Sequence, residues 1–141
     1  MVVTVLTRYD VDRKYRSLAL HLAAGGDLWI TRPSYDTQPR RRRQAGELPG
    51  DVIERLNLVE IMDRPFHKGG LSAIQRMAFR LVVMGIERRW SAHEGRYTDY
   101  YRDPMTYEQA ADALDVSEGV IRNALGHARV RLARLLSEDE P

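Results

Sequence analysis

The chain of 141 residues contains no cysteine. That excludes disulfides, thiolate zinc sites and cysteine nucleophiles together, and is compatible with a reducing compartment. Lysine is almost missing too, with only Lys14 and Lys68 beside 20 arginines. No apolar run approaches the roughly 18 residues a membrane span requires. The opening MVVTVLTRYDVDRKYR has too short an apolar stretch, followed rather than preceded by its charges, to read as a secretory signal. A soluble, cytoplasmic protein with no membrane partner is expected. The histidines His21, His67, His93 and His127 are scattered, and neither an HExxH zinc pattern nor a GxxxxGK phosphate loop occurs. His93-Glu94 is a lone adjacent pair, so no catalytic residue, metal site or cofactor is expected and the chain is not read as an enzyme.

What is present suits a small globular protein: 43% of the residues are hydrophobic and 30% charged. At this length about two thirds of the unfolded surface can be buried, so a core forms without covalent staples. The net charge of +2 is built almost wholly from arginine, which grips phosphate bidentately and stacks on rings as lysine does not.

Along the chain the pattern predicts a mainly α protein: a helical domain with a C-terminal helix-turn-helix and a short N-terminal β-hairpin. Residues 1–31 read as an N-terminal unit, with β-branched runs at 1–6 and 27–31 flanking a helix. That helix is capped by Asp10, carries Val11, Tyr15, Leu18 and Leu22, and closes at Gly25-Gly26. Residues 32–50, RPSYDTQPRRRRQAGELPG, hold three prolines and the run Arg40-Arg41-Arg42-Arg43. They are expected to form a solvated loop or linker whose arginines contact phosphate. Residues 51–141 form the helical domain. Val52, Leu56, Val59 and Met62 mark one helix face up to Asp63, and Leu71, Ile74, Met77, Ala78, Leu81, Val82 and Met84 mark a central helix over 71–90. The stretch from Trp90 to Met105 interleaves aromatics with arginines, which suits either phosphate contact and stacking or, the reading preferred here, a loop that packs its rings inward and leaves its charges in water.

Spacing and residue type agree most closely over 106–136. Thr106 and Gln109 form a capping-box pattern, and Ala110, Ala113 and Leu114 give a small-residue face that admits a close helix crossing. Val116 sits in a tight turn, Ser117 is an N-cap, and Glu118 follows in a first turn that favours negative charge. Ile121, Leu125, Ala128 and Leu132 then recur at four, three and four, opposite an Arg/Asn-rich face. A short helix, a turn of about three residues and a longer helix make a helix-turn-helix.

These residues resemble the fourth region of bacterial sigma factors, the helix-turn-helix that reads the −35 promoter element. The likeness is carried by Tyr107-Glu108-Gln109, Ala111, Leu114, Val116-Ser117-Glu118-Gly119, Ile121-Arg122, Leu125, Ala128-Arg129 and Leu132. Asp115 stands where the family usually has a turn glycine, and Asp tolerates the left-handed conformation that such a turn needs. Ala124 and Gly126 occupy positions commonly basic or polar in the family. The helices with which a complete sigma factor grips polymerase and melts DNA are not recognisable upstream. The resemblance therefore implies a small sigma-like transcription regulator of the kind found in phages and mobile elements, not a whole sigma factor.

Charge supports DNA as the partner. Over Glu118 to Leu136 four arginines face one glutamate, whereas Glu138, Asp139 and Glu140 collect in an acidic tail at 137–141. Geometry assigns base contacts to Glu118, Arg122 and Asn123 at the start of the second helix. Phosphate contacts fall to Tyr107, Ser117, His127, Arg129 and Arg131, with Arg40, Arg41, Arg42 and Arg43 outside the motif. The expected partner is double-stranded DNA, with RNA polymerase and a second copy of the chain as further candidates. The alternative is a polymerase-binding or other protein-interaction module, or a phage DNA-packaging adaptor.

Overall fold

A computed structural model of the chain describes residues 6–24 and 49–139. All but Leu6 of the predicted strand at 1–6, the predicted strand at 27–31, nearly all of the 32–50 tract and the Gly25-Gly26 stop lie outside those residues. The described residues are mainly helical, with one two-stranded antiparallel sheet among them.

Helix α1 spans Arg8–Ala23 and starts one turn earlier than expected. Thr7 is its N-cap, and Asp10 closes a capping box from the third helical position, its carboxylate accepting from the Thr7 backbone N–H at 3.0 Å. That backbone bond, joined by the Thr7 hydroxyl, holds the Asp10 carboxyl below the usual carboxylate range. Helix α2 spans Pro49–Asp63, so the domain boundary expected at residue 51 falls inside a helix. Proline at the first helical position loses nothing there, because its missing N–H has no intrahelical partner to bond.

The predicted helix over 71–90 is three elements. Helix α3, Ala73–Phe79, is opened by a Ser72–Gln75 capping box and widens into a π turn at Arg80–Met84. Gly85, at φ 72°, then ends it. A Cβ at Gly85 would stand 2.3 Å from the Arg102 carbonyl oxygen, so both the left-handed backbone and the close chain approach require glycine. Strand β1, Ile86–Ser91, pairs antiparallel with β2, Arg96–Tyr101, from Ile86 opposite Tyr101 to Ser91 opposite Arg96. The expected loop is therefore a hairpin, and its rings do not pack inward: Trp90 and Tyr97 meet edge to face at 5.2 Å while both stay more than half exposed.

Helix α4, Tyr107–Leu114, and helix α5, Glu118–Asp139, follow, joined through Asp115, Val116 and Ser117. Helix α5 runs three residues beyond Leu136, so the start of the acidic tail is helical. One core joins residues of every helix. Val11, Tyr15, Leu18, Ile61, Leu71, Phe79, Ile121, Leu125 and Leu132 are all buried in it. Tyr15 meets Phe79 edge to face at 5.3 Å and donates its hydroxyl to the Leu58 carbonyl at 2.8 Å, so its polar end is satisfied where its ring is buried. Arg16 donates to the Met84 carbonyl at 2.8 Å, capping the π turn from α1.

Candidate nucleic-acid interface

The α4–α5 corner is built by local chemistry. Thr106 and Gln109 exchange the two bonds of a capping box at 3.1 and 3.0 Å, fixing the start of α4. Asp115 adopts φ 56° and ψ 48°, the left-handed conformation expected of it, and its N–H turns back onto the Ala111 and Asp112 carbonyls. Val116 donates to the Ala111 carbonyl at 3.0 Å and packs against the core. The Ser117 hydroxyl then accepts from the Val120 N–H at 3.2 Å and opens α5.

Helix α5 buries Ile121, Ala124, Leu125, Ala128, Leu132, Leu135 and Leu136. Ala124 is 6% exposed, so a basic side chain there would be forced into the core. The opposite side presents Glu118, Asn123 and His127 to solvent with no hydrogen bond or ion pair among the described residues. Arg122 is also exposed, and its guanidinium lies over the half-buried Tyr107 ring, 5.6 Å from the centroid. That contact leaves the planar N–H groups of Arg122 available to an acceptor.

The remaining predicted contacts fall differently. Arg129 pairs with Asp12 of α1 through two bonds of 2.9 Å and is only 19% exposed in its side chain. Burial works against its charge, but the hydrogen bonds with Asp12 and Tyr107 outweigh it and raise its pKa. Arg131 donates to the Gly69 and Gly70 carbonyls at 3.3 and 3.1 Å and lies over the Phe66 ring. Both arginines thus brace α5 against its neighbours, with Arg129 facing one flank and Arg131 the other. Arg134 is exposed further along α5, a position outside the expected contacts. Val120, in the first turn, is 41% exposed and was overlooked as well, since an apolar residue beside Ile121 reads as core. The Arg40–Arg43 run lies outside the described residues.

Among the described residues no cluster of three or more His, Asp or Glu side chains is arranged to hold a metal ion, and no helix is long and apolar enough to cross a membrane. Comparison with known protein families, with curated proteins and with solved structures finds no match to this chain.

Proposed function

We propose that this chain is a cytoplasmic, sequence-specific regulator of transcription that lays α5 into the major groove of double-stranded DNA, with α4 and its turn as a sigma-like helix-turn-helix. The observation that carries the reading is the group at the start of α5: Glu118, Arg122 and Asn123 are exposed together within the first two turns after a capped corner, without an ion pair among the described residues, on a helix whose other side is core. Those side chains match base edges: Arg122 suits guanine O6 and N7, Asn123 suits adenine, and Glu118 accepts from cytosine N4. Tyr107 supports Arg122 from beneath, and Ser117, His127 and the exposed Arg134 lie toward the backbone phosphates. Arg129 and Arg131 act by holding the angle at which α5 is presented.

The test is DNA binding by the purified protein and by Arg122→Ala. Loss of that guanidinium is expected to weaken specific binding by about 1–3 kcal/mol and to relax selectivity at one base pair. An unchanged footprint would remove Arg122 from base reading. Capture of RNA polymerase without any DNA binding would favour the protein-interaction reading instead.

A further inference from the structure

The two-stranded sheet leaves an edge of each strand unpaired among the described residues. The Arg102 N–H donates to the Gly85 carbonyl at 2.9 Å, so these two form a hydrogen-bonded pair and the alternation continues along the ladder. Glu87–Tyr100, Arg89–Thr98 and Ser91–Arg96 therefore turn their backbone groups toward each other. Tyr97, Asp99 and Tyr101 turn theirs outward along β2, as Ile86, Arg88 and Trp90 do along β1. Every residue of β2 except the half-buried Thr98 is exposed. Among the described residues no hydrogen bond uses the outward N–H and C=O groups of β2. Such an edge is a template for a further strand, and a sheet of only two strands gains stability from one.

The side chains decide which strand fits. Because the faces of a pleated strand must match, it meets its own copy about a two-fold axis only in registers centred on one residue, which then faces itself. On β1 the two longest such registers centre on Arg88 and on Arg89, so each sets a guanidinium against its own copy. On β2 they centre on Asp99 and on Thr98. The Asp99 register opposes two carboxylates. The Thr98 register opposes no like charges: Thr98 meets Thr98, Tyr97 meets Asp99, and Arg96 meets Tyr100. Like charges directly opposite are destabilising, whereas threonine pairs and a cation beside an aromatic ring are favourable.

We infer that the partner of this edge is a second copy of the chain, with β2 pairing antiparallel to β2 of the copy about Thr98. The product is a four-stranded sheet in the order β1-β2-β2-β1, one molecule on each side. Arg88 and Arg89 keep the β1 edge from pairing with itself in the same way, so the assembly closes as a dimer. The inference goes beyond the DNA reading and does not rest on it.

Because the chain has no cysteine, a single introduced one reports the register. At the two-fold axis Thr98 and its copy form a non-hydrogen-bonded pair with Cα atoms about 4.5 Å apart, within the span of a disulfide. Tyr100 and its copy would stand about 13 Å apart, beyond that span. Sedimentation of the full chain over a concentration series is expected to show a monomer–dimer equilibrium. Mild oxidation should convert Thr98→Cys to covalent dimer at least tenfold faster than Tyr100→Cys. Thr98→Lys sets two ammonium groups face to face and should shift sedimentation to monomer, with the circular dichroism of the helices retained. The cysteine pair decides the matter alone should Thr98→Lys fail to fold. A chain that stays monomeric up to about 1 mM, equal oxidation of the two cysteine variants, or a dimer that a folded Thr98→Lys leaves intact would overturn the proposal.

Discussion

Arg122 and Arg129 lie on the same helix and look alike in sequence, but they sit in opposite circumstances. Arg122 rests on a ring with its N–H groups toward solvent, whereas Arg129 is held by Asp12, 117 residues away in the chain. Separation of that kind leaves no trace in local spacing, which is why both arginines read as exposed face residues from sequence alone. The structural role of Arg129 predicts coupling: Arg129→Ala and Asp12→Ala should each lower stability, and their double-mutant cycle should show an interaction of about 1 kcal/mol by denaturant melts. Strict additivity would mean that the pair contributes nothing. Asp115 makes the converse point, because its left-handed conformation was legible from the turn position and the tolerance of Asp. Asp115→Gly should raise stability by a few tenths of a kcal/mol, roughly the residual cost of a short polar side chain at positive φ. A loss of stability would show that the Asp115 side chain has a role of its own.

Among elements, helices with caps and apolar periods were legible and the hairpin was not. Thr106–Gln109 and Ser117 marked α4 and α5 correctly because capping is local chemistry. Strands β1 and β2 gave no period-two signal since, apart from Ile86, none of their residues is buried, so neither face demands apolar residues. The apolar stripe from Leu71 to Met84 stops where the π turn stops, and the predicted helix overran that end into β1. Gly85 is what ends it, with its Cβ position occupied by the Arg102 carbonyl. Gly85→Ala should therefore destabilise the protein by at least about 1 kcal/mol, more than the backbone effect alone. A neutral result in thermal melts would mean that the π turn and the hairpin separate freely.

At the scale of the whole molecule, the near-neutral charge hides a division of labour among arginines. Some of them brace the core, as Arg16, Arg76, Arg129 and Arg131 do through backbone carbonyls and Asp12. Others stay on the surface, Arg122 and Arg134 among them. Phosphate contacts supply most of the affinity of a DNA-binding protein and release counterions. Replacing Arg40–Arg43 with glutamine is accordingly expected to weaken binding to all DNA sequences alike and to flatten the dependence of log K on log salt. A sequence-selective effect would place those arginines at base edges instead.

Recovery of unselected genomic fragments on the purified protein and on Arg122→Ala in parallel shows whether the exposed start of α5 reads DNA. A shared short motif enriched by the native protein and lost or relaxed at one base pair by the variant is the predicted result. No enrichment over random fragments, or the same motif recovered equally by both proteins, would contradict it.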